Sequence, residues 1–86
     1  MIIIPKKSFL KDYAKLSVPQ REKVDFALRS FLKSPQDSVL RNHALKGKLA
    51  GKRAIRAGFD LRIVFKVEGD YVRVLMLSVG THNQVY

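Results

Sequence analysis

The chain closes on Gly80-Thr81-His82-Asn83-Gln84-Val85-Tyr86, an imidazole and a phenol set behind a dense run of cations. An imidazole, with an ordinary pKa of about 6.5, accepts and returns a proton at neutral pH. Moving the proton of a ribose 2′-OH in RNA cleavage needs that property. Two readings of His82 stand open, a proton carrier and a surface histidine without a role. Tyr86 has three: packing on a core edge, stacking on a base, or offering its hydroxyl. Packing and stacking rank above proton transfer, because a phenol ordinarily titrates at about 10.

The cations preceding this tail are concentrated. Arg41, Lys46, Lys48, Lys52, Arg53, Arg56, Arg62 and Lys66 face a single carboxylate, Asp60, so residues 41 to 66 hold +7 of the chain's net +10. Guanidinium groups on Arg53, Arg56 and Arg62 could grip a phosphate bidentately and stabilise charge building on its oxygens. They could equally form a solvated basic edge that blocks sheet-to-sheet association. Arg62 and Lys66, an even number apart in a strand, project to one side. Asp60 could orient a neighbour, act as a base, or cap the turn beside Gly58. His43 opens His43-Ala44-Leu45-Lys46-Gly47-Lys48-Leu49-Ala50-Gly51-Lys52-Arg53 as a second proton carrier or a loop anchor. The glycines of that run let Lys46, Lys48 and Lys52 approach a phosphate chain, but it lacks the ending of a nucleoside-triphosphate loop.

Length and composition bound the rest. The 86 residues form one domain, 1–86, and a chain of that size buries roughly 60 to 65 % of its unfolded surface, leaving little room for a deep pocket. Without cysteine there is no disulfide framework or thiolate nucleophile, and two distant histidines make no structural metal site. No cofactor is called for. Met1-Ile2-Ile3-Ile4-Pro5 is too short for a secretion signal, and no apolar run approaches the ~20 residues of a membrane span. A cytoplasmic protein with no membrane partner is expected. An isoelectric point of about 10.3 calls for an anionic partner.

The elements that must position these groups follow from periodicity. Ile2-Ile3-Ile4 forms a short buried strand stopped by Pro5. Phe9, Leu10, Tyr13 and Leu16 recur at helical spacing over Lys6 to about Leu16. Val24, Ala27, Leu28, Phe31 and Leu32 do so after Ser17-Val18-Pro19, until Ser34-Pro35. Residues 35 to 52 suit a surface loop with room for one short strand. Arg53 to Ala57, Leu61 to Val67 and Tyr71 to Val79 are strand-like, with a hairpin turn at Glu68-Gly69-Asp70. The order β-α-α-β-β-β predicts an α+β domain, its two helices covering one face of a mainly antiparallel sheet.

Taken together, the run His43 to Arg53, Asp60-Leu61-Arg62-Ile63-Val64-Phe65-Lys66, and Val79-Gly80-Thr81-His82 with Tyr86 resemble the RelE/ParE superfamily of toxins, most closely its YafQ-like branch. The motifs cover about half of the chain. The resemblance implies a RelE-like fold and a ribosome-dependent mRNA endoribonuclease that inhibits translation without a catalytic metal and is neutralised by a cognate antitoxin. It implies proton transfer at His82, an aromatic role for Tyr86, matches for the family's early histidine at His43 and its acid at Asp60, and charge stabilisation by Arg56. Lys46, Lys48, Lys52, Arg53 and Arg62 become RNA contacts. Two positions depart from the pattern: Leu61 replaces an aromatic, and Ser78 stands where an arginine often precedes Gly-Thr-His. The alternatives are a ParE-like topoisomerase poison and a catalytically inactive relative that binds only antitoxin or nucleic acid.

Overall fold

A computed structural model describes residues Met1 to Tyr86. Its elements are β1 (Ile2–Pro5), α1 (Lys7–Ala14), α2 (Val18–Lys33), β2 (His43–Ala44), β3 (Arg53–Ala57), β4 (Leu61–Glu68), β5 (Arg73–Thr81) and α3 (His82–Val85). The five strands form one sheet in the order β1-β5-β4-β3-β2. Only β1 and β5 run parallel; the other three pairs are antiparallel. The expected α+β architecture is therefore found, with β2 in the loop that left room for a strand. Strand β1 is not the buried strand expected: it lies at the sheet edge, includes Pro5, and has Ile2 exposed and Ile3 and Ile4 half-buried. The short C-terminal helix α3 was not foreseen, because four residues are too few to show a period.

The two longer helices form where the sequence places them, for identifiable reasons. At the start of α2 the Ser17 hydroxyl accepts from the Gln20 amide while the Gln20 side chain accepts from the Ser17 amide, a reciprocal cap that satisfies two orphan donors. Val24, Ala27 and Phe31 are buried, Leu28 is half-buried, and Leu32 lies outside the core. Helix α1 stops at Ala14, where Arg21 donates to the carbonyls of Tyr13 and Ala14. These apolar stripes meet one sheet face: Phe9, Val24, Ala27 and Phe31 cluster with Ile55, Leu61, Ile63, Phe65, Val74, Met76 and Val79. Phe31 and Phe65 touch edge to face, with centroids 5.1 Å apart.

The last hairpin differs from expectation at both ends. The turn extends through Val72, and Asp70 and Tyr71 take left-handed backbone with φ of 54° and 70°. Tyr71 leaves the strand because its ring packs against Phe31 at 6.0 Å and its hydroxyl accepts from Gln36 and Asn42. Strand β5 then runs two residues further than expected, to Thr81.

It also contains a bulge. Val64 pairs with Ser78 but Phe65 pairs with Met76, leaving Leu77 as an extra residue. A one-residue offset exchanges the two faces of a strand. Val74 and Met76 enter the helix-side core before the bulge and Val79 enters it after, so Ser78 and Gly80 are turned to the opposite face.

Candidate functional site

The face away from the helices is laid out by strand register. One cross-strand row is His43, Ala54, Val64 and Ser78; the next is Arg56, Arg62 and Gly80. Ala54 and Val64 are only 0 % and 2 % exposed although they lie outside the helix-side cluster, so this face has a cover of its own. The cover includes the C-terminal segment. A Cβ on Gly80 would meet Oε1 of Gln84 at 2.8 Å, Cβ of Gln84 at 3.1 Å and Cγ1 of Val85 at 3.4 Å. Glycine at 80 thus lets α3 lie directly on the strand.

A second reciprocal cap starts α3, Thr81 and Gln84 exchanging side-chain and backbone hydrogen bonds. One helical turn brings the rings of His82 and Tyr86 together, with centroids 4.5 Å apart and planes at 85°. Tyr86 also joins Leu45, Lys46, Lys48 and Leu49 around a cavity of about 360 Å³. Burial pushes the Tyr86 phenol above its usual pKa of 10.0, and the positive charge of Arg62 pulls in the opposite direction. Its hydroxyl therefore keeps its proton through neutral pH, as a donor and not a phenolate. In a spectrophotometric titration, the phenolate absorbance lost on Tyr86→Phe substitution is expected to arise above pH 10; a transition below that value would contradict the partial burial of the ring, which is 43 % exposed.

Arg56 and Arg62 sit directly opposite each other on β3 and β4. Neither has a carboxylate partner; the two salt bridges of the molecule are Lys23 with Asp60 and Arg73 with Glu68. Arg56 donates to the Gly58 carbonyl and lies over the Phe59 ring at 5.1 Å, while Arg62 donates to the carbonyls of Phe59 and Leu61. Like charges directly opposed across strands are unfavourable. An anion bridging the two would relieve that repulsion.

The remaining expected residues are distributed unevenly. His43 is exposed, and its Nδ1 donates to the Arg41 carbonyl at 2.8 Å, so in the neutral ring Nε2 is the free acceptor. Two strand spacings, about 10 Å, separate β2 from β4, which places His43 across the face from Arg62. Lys66 lies on β4 on the same side as Arg62, and Lys52 is half-buried just before β3. Arg53 belongs to the other side: it shares a face with Ile55 and donates to Asn42 Oδ1 at 2.8 Å. Asp60 lies in the β3–β4 turn, 3.5 Å from Lys23 of α2. Leu61, where the resemblance expected an aromatic, is fully buried in the core, and Ser78 lies in the floor beside Val64.

Sequence reasoning missed an apolar groove at the end of the sheet. Phe26 of α2, Val39 and Leu40 of the 35–42 segment, and Phe59 line a space of about 890 Å³, with Lys23, Arg41 and Arg56 around it. Phe59 is 86 % exposed and Phe26 and Val39 are each 59 % exposed. The available signal was Phe26, which falls off the buried stripe of α2. No three His, Cys, Asp or Glu side chains converge as metal ligands.

Solved structures of bacterial toxins of the YoeB/ParE and YafQ kinds share this fold. A YoeB/ParE toxin from Agrobacterium tumefaciens superposes with a TM-score of 0.77 at 24 % identity, over 95 % of this chain and 99 % of that one. YafQ from E. coli gives a TM-score of 0.77 at 21 % identity, over 98 % and 96 % of the two chains. A copper-bound mutant toxin from Helicobacter pylori gives 0.70 at 28 % identity, over 100 % and 99 %. Neither a protein-family model nor a curated protein sequence matches the chain.

Proposed function

We propose that this chain is the toxin of a type II toxin-antitoxin system and that it cleaves mRNA on the ribosome. One observation carries the reading: Arg56 and Arg62, without carboxylate partners, share a sheet face with a tail that sets His82 against Tyr86 edge to face. The chemistry suited to it is transfer within RNA. The 2′-oxygen forms a bond to the adjacent phosphorus and the bond to the 5′-oxygen breaks. The 2′-OH proton passes to a base and a proton is returned to the departing oxygen, leaving a cyclic phosphate and a 5′-OH end. His82 moves protons in this scheme, Nε2 of His43 being the second site able to do so. Arg56 and Arg62 hold the crowded phosphate, and Tyr86 orients a base above Leu45 and Leu49. Lys46, Lys48, Lys52 and Lys66 hold neighbouring phosphates, contacts whose affinity falls with salt. Arg53 and Asp60, engaged with Asn42 and Lys23, support the scaffold.

A cognate antitoxin is the second partner. E. coli YafQ is known in a DinJ-YafQ toxin-antitoxin complex with the same fold. On this chain the Phe26, Val39 and Phe59 groove, flanked by Arg41 and Arg56, suits an acidic segment with apolar anchors.

The testing experiment programmes ribosomes with a defined mRNA, adds purified protein and maps the new ends by primer extension. Cuts near the A site are expected. Arg62→Ala should lower the rate by roughly 10²–10³, the cost of losing one charge-stabilising group, with Arg62→Lys recovering part of it. A folded wild-type protein that leaves the mRNA intact would overturn the nuclease reading. DNA-damage signalling and filamentation in its place would favour a ParE-like action on topoisomerase.

A further inference from the structure

Strand β5 continues beyond the reach of its parallel neighbour. The ladder with β1 ends at Pro5 opposite Met76, and Lys6 makes the last backbone bond, to the Met76 carbonyl at 2.9 Å. The next outward groups of β5 are the Leu77 carbonyl, at the bulge, and the Val79 amide. Two side chains of α1 take them: the Ser8 hydroxyl donates to Leu77, and Asp12 Oδ2 accepts from Val79 N–H at 3.1 Å. Residues i and i+4 lie above one another on a helix face, so Ser8 and Asp12 replace the missing strand edge. Asp12 sits in the last turn of α1, where the helix dipole disfavours an anion. Its hydrogen bond to β5 offsets that placement.

The bulge held in this way sets the face of everything after it. In an unbroken strand Ser78 and Gly80 would follow Val74 and Met76 into the core. With Leu77 inserted, Val79 enters the core and Gly80 faces the basic side, where Gln84 and Val85 pack on it. We propose that Asp12, assisted by Ser8, is a positioning residue: by fixing the β5 bulge it determines that His82 and Tyr86 lie over the Arg56 and Arg62 face. The link from this placement to activity rests on the proposed nuclease function, whereas the coupling from Asp12 to His82 does not.

The test uses the full chain and NMR. In the wild type, the Tyr86 ring 4.5 Å from His82 should displace the imidazole proton resonances from their free-histidine positions, and Val79 N–H should exchange slowly. In Asp12→Ala, Val79 exchange should accelerate by roughly 10-fold or more, as expected for a lost amide partner. The His82 resonances should move toward free-histidine values while Ile55 and Ile63 remain protected. Asp12→Asn, which keeps an acceptor oxygen, should restore both signals, and Ser8→Ala should give a partial version. If Asp12→Ala does not fold, Ser8→Ala and Asp12→Asn carry the same comparison. Unchanged His82 resonances despite rapid Val79 exchange, or an Asp12→Asn protein that behaves like the alanine variant, would overturn the proposal. Ribosome cleavage is then measured on the same samples. A wild-type protein with the expected NMR signature but no cleavage removes the nuclease function and leaves the coupling intact.

Discussion

His82→Ala is expected to reduce ribosome-dependent cleavage by about 10²–10⁴, the usual contribution of a positioned proton-transfer group, with little change in thermal stability. The asymmetry follows from where the residue sits. His82 is exposed at the start of α3 and makes no side-chain hydrogen bond; its packing partner is the Tyr86 ring. Removing it leaves the 13-residue helix-side core and the Thr81–Gln84 cap intact. The result distinguishes proton chemistry from simple RNA binding. A binding module would lose only the small contribution of one exposed aromatic contact, whereas the proposed endonuclease loses turnover at every RNA concentration. His43→Ala is the informative companion, because its free Nε2 lies across the same face. A variant His82→Ala that is folded and cleaves at the wild-type rate would transfer the proton role away from the C-terminal tail.

Periodicity carries information wherever a segment has one buried face and enough residues to display it. The stripe at Val24, Ala27 and Phe31 and the alternation of Leu61, Ile63 and Phe65 are of that kind, and the α+β architecture follows from them. Residue type made His82, Tyr86, Arg56 and Arg62 candidates while leaving a surface histidine, a packed tyrosine and a solvated basic edge open, yet strand register decides which of the basic residues share a face. Arg53 and Arg56 are three apart in one strand, so they point to opposite sides, and the first ends in the Asn42 network. Asp60 and Lys23 are 37 residues apart and meet only because α2 crosses the β3–β4 turn. The bulge at Leu77 was hidden for a different reason. Val74 to Val79 is nearly all apolar, and an apolar run does not show where its alternation slips. Ser8 and Asp12 then pass for ordinary polar positions on a surface helix, because their partners are backbone groups of a strand 67 to 69 residues away.

Replacing Gly80 with valine is expected to reduce cleavage by as much as removing His82 does, although every proposed catalytic side chain remains. The smallest added atom, a Cβ, already falls 2.8 Å from Gln84 Oε1 and 3.1 Å from Gln84 Cβ. The first of these could swing aside as the end of a flexible side chain, but that oxygen accepts from the Thr81 amide at 2.8 Å. Moving it breaks the cap of α3, a loss of about 1 kcal/mol, large for a helix of four residues. The Cβ of Gln84 cannot move without its backbone, and the two further methyl groups of valine extend the clash. Helix α3 must lift from the sheet, carrying His82 and Tyr86 away from Arg62 and uncovering Ala54 and Val64. Gly80→Ala, with the Cβ alone, should give an intermediate rate. Three measurements separate this from unfolding: retained far-ultraviolet circular dichroism, a Tyr86 phenol titrating closer to 10 once its partial burial is relieved, and loss of cleavage. A Gly80→Val protein that cleaves normally would mean that α3 does not need to rest on the sheet for the reaction.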